Sequence, residues 1–343
     1  MNGAERIAAT LAGKTLDRRA FIPVLSLYGA RLTDCPLYKY YSDPAAYAAG
    51  QYAVYKEFDP DIIFAPFAFA LIGAAFGSDI KLSLFQPPNI KTPAVPTNNN
   101  WEEIVFPDID TNHYLLYFRQ AIMHMTNRFQ GDVPIAACLP APIDIPALIL
   151  GMEGWLDLLM FKHEDAVCLL KRVNTFFTDL ANRLFTDGAM VAFLPCGYAS
   201  PAVMMREKVE SIMRPAMKDA LSQLRGPAVI HHCGAVLLDH LDILSDLPST
   251  VGFALGYEEG LDKARRVIGP EPALLSGPHG PSLAEMDEEQ VEMICRLILE
   301  ERHKKQDSRF ILVTLGADVP YYTPPENLHA MRKAVLKAAR NNI

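Results

Sequence analysis

The residues of this chain best suited to chemistry are His231 and Cys233, in the stretch Ile230-His231-His232-Cys233-Gly234. The stretch closes an apolar run, Ala228-Val229-Ile230, that reads as a buried strand. Side chains at i and i+2 of a strand project to one face, so His231 and Cys233 are expected to point together and His232 away. An imidazole beside a thiolate suits a borderline-soft divalent metal, zinc above all. A buried thiol next to a hydrogen-bonded histidine gives the same pattern, so the position of the pair in the fold has to decide.

Eight short apolar runs are expected as strands, over 22–27, 61–66, 134–139, 189–194, 228–233, 250–255, 273–277 and 310–315. Most lack polar alternation, as strands covered on both faces do. Amphipathic segments between them, such as 207–224, 235–247 and 285–304, are expected as helices. Strands alternating with helices over this length predict an α/β protein, a (β/α)8 TIM barrel forming a single domain over residues 1–343. It has an N-terminal helical extension and a long insert after strand 2, over 71–131. The insert carries a Pro- and Asn-rich stretch, then a helix near 114–129, and is expected to form a lid or covering hairpin over the barrel mouth.

In such a barrel the reactive residues sit at the C-terminal ends of strands. That filter selects Tyr28 and Arg31 after the first strand, Cys196 and Tyr198 after the fourth, and His231 and Cys233 on the fifth. It adds Tyr257 and Glu258 after the sixth, His279 after the seventh, and Asp318 after the eighth. Cys196, His279 or Asp318 could complete a metal site with His231 and Cys233. Glu258 is either a solvated loop acid or a group acting beside them. Tyr28, Arg31, Tyr198, Tyr257 and His279 are the candidates for lining a substrate cavity, and the tyrosines could equally be core aromatics.

The bulk properties exclude other classes. The net charge is −8 and no Lys/Arg cluster marks a nucleic-acid surface. No apolar run approaches the roughly 20 residues a bilayer requires, and the first residues lack a signal-peptide layout. The six cysteines are scattered without framework spacing, which fits a reducing cytoplasm. There is no phosphate-binding glycine loop and no serine nucleophile elbow.

The chain resembles, nearly end to end, the uroporphyrinogen decarboxylase superfamily, and within it the cobamide-dependent methyltransferase branch that includes methylcobalamin:coenzyme M methyltransferases. The marks are Arg6-Ile7, the segment Leu11-Ala12-Gly13-Lys14-Thr15-Leu16-Asp17-Arg18, Gly151-Met152-Glu153 and His231-His232-Cys233-Gly234. The most specific is the closing Gly316-Ala317-Asp318-Val319-Pro320 with Thr323-Pro324-Pro325-Glu326-Asn327-Leu328. The resemblance implies a (β/α)8 barrel, a homodimer, zinc held by His-x-Cys and a distant Cys, and cobalamin or another corrinoid carried by a partner protein. His231 and Cys233 match the first two ligands, whereas Ala317 stands where the third is expected. The Arg-rich signature by which decarboxylases grip porphyrinogen carboxylates is reduced to a lone Arg31. A tetrapyrrole with several acetates needs several cations, so decarboxylation is not expected. The reading is therefore a methyltransferase, moving a methyl group from a small methoxylated or methylated substrate to the cobalt of a corrinoid protein, with zinc as Lewis acid. Methylcobalamin:thiol transfer, decarboxylase-like activity and non-catalytic tetrapyrrole or corrinoid binding are the alternatives.

Overall fold

The computed structural model describes residues 1–95, 101–316 and 318–340. Its strands are β1 (Phe21–Ile22), β2 (Ile63–Phe64), β3 (Asp79–Lys81), β4 (Asn89–Thr92), β5 (Ile135–Cys138), β6 (Val191–Pro195), β7 (Ala228–His231), β8 (Thr250–Ala254), β9 (Ala273–Ser276) and β10 (Phe310–Val313). Eight of them pair in parallel in the order β1-β10-β9-β8-β7-β6-β5-β2, with helices around them. This is the (β/α)8 barrel that the apolar runs predict. No helix among the described residues is long and apolar enough to cross a membrane.

The period-two rule assigns the two faces of each strand. Ala136, Cys138, Phe193, Val229, Ile311 and Val313 fill the barrel interior. The intervening Ala137, Leu194, Ile230 and Leu312 pack against the helices. The seam between β1 and β2 is joined by Asp61, whose N–H donates to Phe21 O at 2.9 Å and whose carboxylate accepts the Phe21 N–H at 2.7 Å. That carboxylate is buried and also bound by the guanidinium groups of Arg6 and Arg18, and Arg6 reaches on to Asp17. The N-terminal helix (Gly3–Leu11), started by an Asn2–Glu5 capping box, is thereby clamped under the barrel, with Ile7 and Leu11 against its interior.

The helix expected over 285–304 is present as Glu288–Lys304, started by an Asp287–Gln290 capping box. The helix in the insert runs His113–Phe129, capped by Asn112. The segment 207–224 is less regular: a π turn, Val209–Met213, leads into the helix Arg214–Ser222. Pro215 has no N–H to give the carbonyl four residues back, and the turn widens there. Of 235–247 only a 3₁₀ turn, Leu238–His240, and one turn, Leu241–Leu244, are helical. The polar residues Asp239, Asp242, Ser245 and Asp246 are poor helix formers. His240 is buried with its Nδ1 2.8 Å from Ala199 O, which fixes the segment against the preceding loop.

The insert does fold over the mouth. β3 and β4 form an antiparallel hairpin, and the loop between them reaches a cavity at the C-terminal end of the barrel. The chain leaving β4 packs on Gly151, where the helix Ile145–Phe161 breaks with φ +75°. A Cβ at Gly151 would lie 2.9 Å from Pro93 Cγ, so the glycine serves both the break and the close approach.

Candidate active site

His231 ends β7 and follows the parity of Val229, so its ring enters the top of the barrel, 5.0 Å from that of Phe193. Cys233 lies beyond the strand end. The chain has left the strand by then, in a left-handed turn with φ +55° at Cys233 and +81° at Gly234. The i, i+2 rule ends with the strand, so it no longer sets where the Cys233 side chain projects. The turn instead brings the Cys233 N–H to within 3.0 Å of His231 Nδ1, to which it donates. Burial first, then neighbouring His232 and His279, hold His231 well below the usual histidine range, so the ring is neutral. A neutral ring that accepts at Nδ1 carries its proton on Nε2. His231 Nε2 is buried and has no partner. It presents an N–H, not a metal-binding lone pair.

His232 does not point away from the site. Its ring lies 5.1 Å from His231 and 5.6 Å from His279. His232 Nδ1 is 3.2 Å from Glu259 Oε1, and Glu259 also accepts the N–H groups of Leu237, Leu238 and Gly256 at 2.7–2.9 Å. Burial works to raise the Glu259 carboxyl, yet these hydrogen bonds, His232 foremost, keep it below the ordinary value. At the rim His279 Nε2 lies 2.6 Å from Glu258 Oε1, with exposed Tyr257 alongside.

Cys233 is accessible to solvent, but its surroundings, and then Asp144, push the thiol up to about 12. Cys196 is wholly buried among apolar side chains between strands and helices, and its thiol is pushed up by burial, then by Asp144 and Cys233. Ala317, where the resemblance places a second cysteine, lies outside the described residues. Among the described residues no three His, Cys, Asp or Glu side chains converge so as to hold a metal ion. Asp318 is bonded into the β1 loop, His279 is committed to Glu258, and His231 presents a proton. This donor set does not fit the expected zinc site.

The loops after β7 and β10 meet. Gly234 and Gly316 both have positive φ, and a Cβ on Gly234 would lie 3.6 Å from Gly316 Cα. A Cβ on Gly316 would come within 3.1 Å of His279 Nδ1. Pro281 and Asp318, near that contact in the chain, help to line a cavity of about 720 Å³ between the barrel rim and the insert hairpin. Asp318 is 7% exposed, and its Oδ2 accepts the Leu27 N–H at 2.6 Å. Its Oδ1 has no partner, and burial pushes the carboxyl up to about 8. On one side stand Phe67 and Phe69, ring centroids 4.6 Å apart. On the other Phe85 of the hairpin loop packs 4.7 Å from Tyr322 and 5.6 Å from Tyr321.

Tyr28 and Arg31 are structural. Tyr28 is fully buried and donates its hydroxyl to Thr323 O at 2.7 Å. Arg31 Nη1 donates to Tyr321 O and Thr323 O at 2.9 and 2.6 Å, and its guanidinium lies 5.1 Å from the Tyr28 ring centre. Together they hold the closing sequence signature in place. Tyr198 is half-buried against the core, its hydroxyl pushed up to about 12 by burial, then by Asp144. Sequence reasoning passed over Asp144, which accepts the N–H groups of Gly197 and Tyr198 at 2.6 and 3.3 Å and is pushed up to about 7 by burial. It follows the third strand by a few residues, so the strand-end filter, extended to Asp144, would have found it. Tyr321 and Tyr322 follow the eighth strand and were open to the same filter.

The fold and the placement of its unpaired groups define a (β/α)8 barrel whose candidate site lies at the C-terminal ends of the strands, the end where barrels of this kind carry their chemistry. Residues 2–338 match the family model of uroporphyrinogen decarboxylase (URO-D), and the chain belongs to that family. A methylated-thiol–coenzyme M methyltransferase of Methanosarcina mazei is 24% identical over 140 residues, 40% of this chain and 38% of that relative. The aligned stretch thus spans well under half of the curated relative. In structure, a methyltransferase from Methanosarcina mazei superposes with a TM-score of 0.87 at 17% identity, covering 98% of this chain and 99% of the other. A B12-independent methionine synthase from Shewanella sp. W3-18-1 gives 0.57 at 10% identity, over 94% of this chain and 98% of that one.

Proposed function

We propose that this member of the URO-D family is a methyltransferase, moving a methyl group between a small methylated or methoxylated substrate and the cobalt of a corrinoid carried by a partner protein. The observation that carries this reading is the chemistry of the mouth cavity. Among the described residues its lining includes no Lys, Arg or His and one acid, Asp318. Arg31, the one cation the sequence offers after the first strand, is spent on backbone carbonyls. Porphyrinogen decarboxylation would require several cations facing the substrate carboxylates. A cavity of about 720 Å³ suits a small ligand, and it lies at the rim where a second protein can present its cofactor. The relatedness to a methyltransferase in the aligned 140 residues supports the same class.

In this account the chain binds and orients the donor. The aromatic walls exclude water, and Asp318, anchored on the Leu27 N–H, fixes the polar end of the ligand. His231 keeps a buried, unpartnered Nε2 at the end of β7. Reduced corrinoid supplies the nucleophile; no step is assigned to a metal held by this chain, because the donor set does not fit one. The test is to incubate the purified protein with cob(I)alamin and a panel of methyl ethers, methylated thiols and methylated ammonium compounds, following the methylcobalamin absorbance. Transfer from at least one donor supports the reading. Decarboxylation of uroporphyrinogen with no methyl transfer overturns it.

A further inference from the structure

We propose that the methyl donor is a methylated ammonium cation, seated between Phe67 and Phe69 on one side and Phe85, Tyr321 and Tyr322 on the other, with Asp318 as its counter-charge. The proposal rests on the methyltransferase reading and narrows its substrate class.

The cavity has three properties that select charge and shape together. Five aromatic rings contribute to its lining, and all five are at least partly exposed. Aromatic faces carry the negative part of a quadrupole and attract quaternary ammonium groups. The one ionisable acid among the lining residues is Asp318, whose Oδ1 is unpaired. Burial favours the neutral carboxyl, and a cation seated beside it shifts Asp318 toward the ionised form that serves as counter-charge. Finally, among the described residues the lining has no basic residue, so a sulfonate, carboxylate or phosphate finds no cation to pair with.

The chemistry agrees with the missing metal site. An alkoxide or thiolate leaving group needs a proton or a Lewis acid, whereas a quaternary ammonium leaves as a neutral amine. The C–N bond breaks with both electrons staying on nitrogen, and the methyl carbon bonds to cobalt through the electron pair of Co(I), which becomes Co(III). No proton is transferred, and the only co-reactant is the reduced corrinoid of the partner protein. A cavity with aromatic walls, one lining acid and, among the described residues, no converging metal ligands is suited to that reaction.

The test is calorimetric titration of the purified protein, without corrinoid, with tetramethylammonium, choline, the neutral carbon isostere 3,3-dimethylbutan-1-ol and the anion 2-(methylthio)ethanesulfonate. Both cations are expected to bind, choline about ten-fold or more tightly than its isostere. Asp318→Asn, shown to be folded by thermal unfolding, is expected to weaken choline by about ten-fold. Phe85→Leu, on the half-exposed hairpin loop, is expected to weaken it several-fold without any question of folding. Equal affinity for choline and its isostere, tighter binding of the sulfonate, or no effect of either variant overturns the proposal. Because binding is read without turnover, the two readings fail separately. Demethylation of an ether by a protein that ignores ammonium cations removes the proposal and leaves the methyltransferase. Cation binding with no methyl transfer to cob(I)alamin from any donor removes the methyltransferase and leaves the cage.

Discussion

At the scale of single residues, the site is governed by what burial does to its acids. Asp318 is raised to about 8 and Asp144 to about 7, both chiefly by burial. A carboxyl whose folded value lies above its unfolded value binds more protons when folded, so stability falls as pH rises from about 4 through the folded value. The protein is therefore expected to melt at a lower temperature at pH 8.5 than at pH 6. Asp318→Asn should remove part of that difference, on the order of 1 kcal/mol or more, and leave the part due to Asp144. Thermal unfolding of both proteins at the two pH values checks this; parallel pH dependence in the two would contradict it. A second expectation concerns His231. With its Nε2 protonated and no third ligand converging among the described residues, chelator treatment should leave the melting temperature unchanged, and purified protein should carry well under one zinc per chain by elemental analysis. The histidine was legible in the sequence as an interior-facing residue at a strand end. Its role was not, because the left-handed turn at Cys233 that occupies Nδ1 leaves no periodic signal. The partners Glu258 and Glu259 lie 21 or more residues from His279 and His232, beyond any local pattern.

At the scale of elements, the hairpin β3–β4 is the part that turns a barrel top into a cavity. It rests on Gly151, where φ +75° and the contact with Pro93 coincide. Gly151→Ala is expected to cost about 1–3 kcal/mol and to speed amide exchange across residues 79–92 more than in β7 or β10. Hydrogen exchange by mass spectrometry reads both regions at once, and uniform acceleration would show that the glycine supports the whole fold instead. The eight barrel strands could be read from sequence because strands buried on both faces appear as continuous apolar runs. The insert could be placed but not shaped: β3 and β4 are exposed and polar, with Asp79, Lys81, Asn89 and Lys91 in their short spans, so neither period stands out. The overextended helix over 235–247 is the converse case. Its apolar spacing satisfies a helical pattern, while the side-chain bonds that shorten it come from His240 and Glu259 in three dimensions.

At the scale of the molecule, the sequence marks that establish the family are mostly structural. Arg6, Asp17 and Arg18 form the clamp on Asp61 at the barrel seam. Thr323 receives Tyr28 and Arg31, and Asn327 donates to Leu283 O and Met286 O at 2.7 and 2.8 Å. Marks of this structural kind do not specify what the mouth does, which is why family membership leaves the reaction open. Removing the acid at the seam should be severe: Asp61→Ala strands two guanidinium groups and is expected to cost about 3–5 kcal/mol in urea unfolding. A loss below about 1 kcal/mol would show that the ion pairs are solvated and the seam is held by packing alone.

The central claim is that a barrel mouth with an acid, aromatic walls and no cation transfers methyl groups and does not decarboxylate porphyrinogens. The most direct measurement supplies the protein with cob(I)alamin, a chelator and ¹³C-methyl-labelled choline and methyl ethers, and follows the methyl carbon by NMR. The account predicts a protein-dependent methyl–cobalt resonance growing as the donor resonance declines. No such resonance from any donor, together with release of carbon dioxide from uroporphyrinogen by the same preparation, would contradict it.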